Sequence, residues 1–321
     1  MPDDFLKFRS VQHFNEPLIA NELENGLKAW TDHAFLKIGG FVNVTIPTSG
    51  IYGNNFHVLH EVDDPSYGDS TIFQSIKKDW VYETGVSYTN YTGGTSYPLP
   101  VKVYVDGNLK NTGDSGFEHH INYSHGCVVF NSNQSEEITC QYSYRSVQVY
   151  TSSEMDINGW MEINTDSFNP ANIQWAQNLT SGDYSTYSSN RAQLPCIIIE
   201  TAGKKGGTPF ELGTLASRNK YDLLFHVISQ DRYTRNNIVD ILSLQENKTI
   251  ILYDSDLVFD AGLLPLDERG MKVNNNTYPD LLGSQYVFRT AYFEKISVSE
   301  VKTSNPNLHF SIVRAVIEVI Y

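Results

Sequence analysis

A β-rich α+β fold is expected from three features of this sequence. One well-patterned helix lies near the start, a long succession of short alternating runs follows, and a strand–helix–strand segment appears late in the chain. The expected layout is an N-terminal helix with a β-sandwich or barrel-like domain over residues 1–150, then a polar connecting loop over 151–193. An α+β domain with one main helix packed on a mixed sheet is expected over 194–321. At roughly 100–200 residues per domain, 321 residues suffice for two. Hydrophobic residues make up 40% of the chain, aromatics 12% and charged residues 19%, which excludes a disordered chain and a coiled coil.

The helix is read from Ile19, Leu23, Leu27 and Trp30, which share one face. Asn15 is placed to cap it, Pro17 suits its first turn, and Gly39-Gly40 ends it. The face is expected to enter the core, with a partner-facing arm as the alternative. From Phe41 the runs FVNVTI, FHVLHE, TIFQSI and DWVYE read as strands between Gly, Pro, Asp and Asn clusters. VKVYVDGNLK carries Asp106-Gly107 between two apolar runs, a strong hairpin signal. Gly126 precedes the strand Cys127–Phe130.

The longest candidate strand runs from Ile138 to Tyr150. Ile138, Cys140, Tyr142 and Tyr144 share one face, but Val147 and Val149 fall on the opposite parity. A one-residue slip flips every side chain, so a β-bulge or a change of sheet is expected near Arg145-Ser146. Residues 151–193 are polar and lack a sustained period. Trp160 and Trp175 argue that this loop is pinned to a surface or a neighbouring subunit.

Leu194–Glu200 and Tyr221–Ile228 read as buried strands, with GKKGGTPFELG between them as a flexible, basic hairpin tip. A helix is expected from about Asp231 to Glu246, with Ile238, Ile241, Leu242 and Gln245 on one face, followed by the strand Thr249–Tyr253. That segment has the size of a βαβ unit, with an antiparallel return as the alternative. Strands over Gln285–Val301 and Leu308–Tyr321 complete the chain.

Lys plus Arg is 23 and Asp plus Glu is 37, a net charge of −14. So acidic a body is not expected to wrap nucleic acid, whose phosphates need clustered Lys and Arg. The start, MPDDFLKF, lacks a signal-peptide pattern, and no apolar run approaches the roughly 20 residues of a membrane span. Cys127, Cys140 and Cys196 sit in strand-like runs without metal-ligand spacing and are expected to be reduced and buried.

No catalytic, cofactor or metal site is expected. Gly113-Asp114-Ser115-Gly116 matches the nucleophile string of chymotrypsin-like proteases, but Phe-Glu follows, and Asp, Gly and Ser are default turn residues. His57 and His60 are three apart and would point to opposite faces of a strand; His119, His120 and His125 form a second group. His226 reads as a satisfied core histidine. Gly203–Thr208 lacks phosphate-loop spacing. Asp63-Asp64 and Asp254-Ser255-Asp256 read as turn chemistry rather than cation ligands. Twenty tyrosines and four tryptophans suit large protein interfaces and equally suit sugar-binding platforms.

Gly126–Phe130, a short polar loop, Tyr142-Ser143-Tyr144-Arg145 and Val147–Tyr150 together resemble a strand pair in virion structural proteins of tailed bacteriophages. Asp79–Glu83, Gly39-Gly40-Phe41, Phe225-His226-Val227 and Asp231–Asn237 with Asp240-Ile241-Leu242 are similar to the same proteins. The family pattern tends to have Arg where Cys127 stands and Asp where Asn131 stands. The resemblance implies a non-enzymatic building block of the head-to-tail connection (neck, adaptor or tail-terminator-like) assembled in the host cytoplasm. Its implied partners are copies of itself in a ring, together with portal and tail proteins, with no sequence-specific nucleic-acid binding and no membrane. Trp80, Tyr142, Tyr144, Arg145, Trp160 and Trp175 are the candidate structural or interface residues. The competing expectations are a carbohydrate- or receptor-binding β-module and a hydrolase using Ser115.

Overall fold

The computed structural model describes residues 19–46, 56–62, 68–154, 193–209, 217–301 and 308–320. The first part of the chain contributes α1 (Ile19–Lys37), β1 (Phe41–Val44), β2 (His60–Glu61), β3 (Ile72–Gln74), β4 (Tyr88–Thr89) and β5 (Thr95–Ser96). Then come β6 (Lys102–Val105), β7 (Asn108–Lys110), β8 (His119–Asn122), β9 (Cys127–Phe130), β10 (Ile138–Arg145) and β11 (Gln148–Thr151). The remainder forms β12 (Cys196–Pro209), β13 (Ser217–Ser229), α2 (Arg232–Ser243), β14 (Thr249–Tyr253), the short α3 (Ser255–Asp260), a 3-10 turn at Tyr278–Leu282, β15 (Val287–Val301) and β16 (His309–Ile320). The fold is α+β and rich in strand.

Two four-stranded sheets, β1-β10-β6-β7 and β2-β3-β9-β8, form a small sandwich. Its core joins Phe73, Val128 and Phe130 of one sheet to Val44, Val103, Val105, Ile138, Cys140 and Tyr142 of the other. Asp106 (φ 47°) and Gly107 (φ 72°) turn the β6–β7 hairpin. Both central residues take the positive φ that a twisted two-residue turn demands, as the Asp-Gly pair signals.

A six-stranded sheet of order β11-β12-β13-β16-β15-β14 forms the second layer. Its main core is mostly aliphatic, with Ile197, Ile199, Leu223, Phe225, Val227, Val313, Ala315 and Ile317 facing α1 and α2. The strand–helix–strand segment is the antiparallel alternative rather than a βαβ unit. The C-terminal hairpin β15–β16 lies between β13 and β14, and each pairing across these four strands is antiparallel. The parallel pair lies elsewhere, between β11 and β12. The glycine-rich excursion also differs from expectation. Residues up to Pro209 remain in β12, paired with β13 through two register shifts, after Thr201 and after Lys204. Gly203 (φ 142°) and Gly206 (φ 151°) sit at those shifts with backbone angles that favour glycine.

One strand joins the two layers. β10 ends with Arg145 paired to Phe41, and Gln148 then pairs with Cys196 of the second sheet. The parity break at Arg145-Ser146 is therefore a change of sheet, and it delivers Val147 and Val149 into the second core.

Helix α1 belongs to both layers. Leu23 and Leu27 are fully buried against the six-stranded sheet, while Leu36 packs with Val81 and Val86 beside the sandwich. A Cβ at Gly26 would meet Leu252, so the helix lies close on β14. Asn15 and Pro17, expected at the start of this helix, lie outside the described residues. At the other end Gly39 takes φ 84° and donates to the Leu36 carbonyl at 3.1 Å, while Gly40 donates to Phe35 at 2.7 Å. Residues 1–150 thus lend α1 and β11 to the second core, so division by sequence and division by packing do not coincide.

Candidate functional site

A concavity of about 580 Å³ lies where α1, the segment 78–83, the end of β10 and the loop 264–266 meet. Arg145 is its centre, placed there by the last sandwich pairing of β10 and only 7% exposed. Its Nη2 donates to Glu83 Oε2 at 2.7 Å and Oε1 at 2.9 Å, and its Nη1 donates to the Trp80 carbonyl at 3.3 Å. The guanidinium lies 5.1 Å from the centroid of the Tyr82 ring. Burial works to lower the Arg145 pKa, but Glu83 and then Asp32 outweigh it, so the guanidinium stays charged.

Backbone geometry builds the opposite wall. Asp79 adopts φ 50°, its carbonyl accepts from the Arg145 N–H at 3.1 Å, and Trp80 forms a bridge with Tyr144. The Trp80 ring stacks on Tyr142 at 4.3 Å and its indole donates to the Lys77 carbonyl at 2.8 Å. Gly126 lies under this turn with φ 65°, and a Cβ there would collide with the Lys77 carbonyl oxygen.

Asp32 enters from α1. Its Oδ1 stands 3.7 Å from Arg145 Nε, too long for a hydrogen bond, and both atoms are buried with no hydrogen-bond partner. Burial pushes the Asp32 carboxyl up to about 7, against the pull of Arg145 and Lys28. Burial also raises Asp79, again opposed by Arg145. The ion pair Lys28–Glu154 closes one side.

The second layer reaches back across the cleft. Met271 bridges to Asn122, Tyr123 donates its N–H to the Gly270 carbonyl at 2.8 Å, and Lys272 Nζ donates to the Tyr82 carbonyl at 2.8 Å. Lys78 N–H donates to Gln193 Oε1 at 2.9 Å. From α1, Glu24 accepts from Thr201 N–H at 2.7 Å and Glu22 from Ser255 N–H at 2.9 Å. Chemically, the arrangement fastens the sandwich, the helix and the sheet to one another.

Of the sequence-predicted residues, Trp80, Tyr142 and Arg145 converge here or directly behind the wall, and Tyr144 is half-buried beside them. Trp80 and Tyr142 are fully buried, so their side chains present no surface to a partner in this conformation; they serve the core. Trp160 and Trp175 lie outside the described residues. Asp32 and Lys272 carry no signal in the sequence reading, and Glu83 enters it only within the run Asp79–Glu83. The signal for a carboxylate was an arginine in a strand with little exposed surface, which requires a paired charge.

Of the other motifs, His125 and Ser255 line the cleft, while the rest lie away from it. Ser115 sits in the β7–β8 turn, where Asp114 accepts from Asn111 N–H at 2.8 Å. Asp254 caps α3 by accepting from Leu257 N–H at 3.0 Å. His226 is buried with Nε2 2.7 Å from Glu200 Oε2. Among the described residues no three His, Cys, Asp or Glu side chains come together as metal ligands. All three cysteines are free and buried, and burial lifts the Cys127 and Cys196 thiols to about 12. Asp63-Asp64 lies outside the described residues. No helix among those described is long and apolar enough to cross a membrane.

No protein-family model matches the chain, and comparison with curated proteins finds no match.

Proposed function

We propose that this chain is a non-enzymatic virion structural protein of a tailed bacteriophage, a ring-forming component of the head-to-tail connection. The observation that carries the reading is the use of the central cleft. Its strongest charges are spent on fastening, Arg145 to Glu83 and Lys28 to Glu154, and its walls come from both layers. A subunit that transmits load between neighbours needs its parts fixed in this way. The resemblance of the β9–β10–β11 region to phage strand pairs supports the same reading, and so does the net charge of −14, which would let DNA pass without binding it. Rings follow from heterologous interfaces that close. The alternative, a carbohydrate- or receptor-binding β-module, is favoured by Tyr91, fully exposed between β4 and β5, and by Tyr97, 54% exposed just after them.

The test is negative-stain imaging of the purified chain with and without portal and tail proteins, alongside a glycan-binding screen. Rings, or decoration of a ring-shaped partner, are expected. A monodisperse monomer that ignores phage components and binds glycans overturns the proposal in favour of the alternative.

A further inference from the structure

Two segments of opposite charge stand on opposite flanks of the six-stranded sheet, at the same end of it. One row of paired residues crosses five strands: Gly207 of β12, Asn219 of β13, Val319 of β16, Ala291 of β15 and Ile250 of β14. All four pairings are antiparallel, so β12 and β14 run in the same direction. Beyond that row β12 continues to Pro209, while β14 continues to Tyr253 and then into α3. At about 4.8 Å per strand step, four steps set the two flanks roughly 19 Å apart. On the outer side of β12 the pairing with β11 ends at Ile199, and among the described residues no strand follows it there. No described strand pairs with the outer side of β14.

Residues 201–221 contain Lys204, Lys205, Arg218 and Lys220 against one carboxylate, Glu211, which lies outside the described residues. Arg218 and Lys220 are answered within the sheet by Glu318 and Glu294. Residues 249–287 reverse the balance, with six carboxylates against Arg269 and Lys272. Lys272 is turned to the Tyr82 carbonyl, and Arg289, just beyond, donates to the Phe288 carbonyl. On α3, Asp256 and Asp260 are exposed, and between them Leu257 and Phe259 are 47% and 59% exposed. Val287, paired with Tyr253 at the root of α3, is exposed as well. The helix is held by its buried Val258 and by the Asp254 cap. Apolar side chains grouped on a surface and rimmed by charge mark a protein contact, and here the rim is anionic. Lysine suits both features, because its stem covers apolar surface while its ammonium reaches carboxylates and aromatic faces.

We propose that α3 is a docking surface for a second copy of this chain, taking the Lys204-Lys205 run of that copy's β12 against Asp256, Phe259 and Asp260. The inference rests on the ring reading above and specifies its contact. Rotation about an axis along the strands keeps the same sheet end of every copy level, so the basic flank of one copy meets the acidic flank of the next. Such a contact is heterologous and closes into a ring.

The test is self-association of the full chain, measured by analytical ultracentrifugation at low and high salt, with portal and tail particles imaged alongside. Concentration-dependent association that weakens with salt is expected. Lys204→Glu with Lys205→Glu in one variant, and Asp256→Lys with Asp260→Lys in another, are each expected to weaken it about tenfold or more. A chain carrying all four changes is expected to recover it, and Phe259→Ser to weaken it at either salt. Asp254 is left in place because it caps α3, and each variant's own unfolding transition establishes that it is folded. A wild type that stays monomeric overturns the proposal; if that monomer still decorates portal or tail particles, the connector reading survives. Association that persists in both charge-reversed variants, or in Phe259→Ser, overturns the contact and leaves the ring. Failure of the four-change chain to recover overturns it too. Loss of portal or tail decoration alone in the α3 variant gives the patch to another virion protein and likewise overturns the proposal.

Discussion

The sandwich and the six-stranded sheet solve the same problem in different ways. In the sheet, β12, β13, β15 and β16 run for 14, 13, 15 and 12 residues, and the ladder carries the structure over a mostly aliphatic core. In the sandwich, β2 has two residues, β3 three and β9 four, so the ladder is short and side chains take over. Tyr142 hydroxyl donates to the Phe56 carbonyl at 2.6 Å, Gln74 Nε2 to the His125 carbonyl at 2.8 Å, and Ser143 Oγ to Asn43 Oδ1 at 2.6 Å. Short strands thus demand buried polar contacts, and those contacts leave the region sensitive to single-atom changes. The long sheet is sensitive to lost volume instead.

That contrast gives graded expectations. Glu83→Ala strips Arg145 of its bidentate partner and leaves a buried charge; a loss of about 3–5 kcal/mol is expected in urea unfolding. Asp32→Asn acts in the opposite direction and depends on pH. The folded pKa, about 7, lies above the unfolded value, so wild-type stability from this group is full at low pH and is lost as pH rises from near 4 to 7. The variant is expected to match wild type near pH 4 and to exceed it by up to about 4 kcal/mol near pH 8, since each tenfold change in proton affinity is worth about 1.4 kcal/mol. Unfolding curves at the two pH values check this.

Leu223→Ala empties a fully buried position in the sheet and is expected to cost about 3 kcal/mol at every pH. Tyr142→Phe removes one hydroxyl from the sandwich and orphans the Phe56 carbonyl, at about 1–3 kcal/mol. Arg314→Ala on the open face of the sheet removes a pair with Asp222 that is half exposed on the arginine side, and should change stability by less than about 1 kcal/mol. A larger effect at Arg314 than at Tyr142 would reverse the proposed contrast.

Much of this was legible in local sequence. The helix face of Leu23 and Leu27, the Asp106-Gly107 turn and the parity break at Arg145-Ser146 all follow from periods and turn chemistry that involve few residues. What was not legible is non-local. Lys28 and Asp32, four apart on a helix, carry no distinguishing local signal, and it is β10 and the 78–83 segment that enclose Asp32. The insertion of β15–β16 between β13 and β14 is decided by sheet pairing far along the chain, so the strand–helix–strand pattern alone could not fix its direction. The glycines at 203 and 206 looked like a loop because they accommodate register shifts that only the β13 partner reveals.

Whether sandwich and sheet form one mechanical body is tested most directly by native-state hydrogen exchange, with amides of β10 and β13 followed in the same sample. Opening free energies that agree for the two strands in wild type, and that separate in Glu83→Ala with the sandwich opening first, are the result expected of an Arg145 fastener. Strands that open independently in wild type, or a Glu83→Ala protein in which both still open together at unchanged free energy, would contradict it.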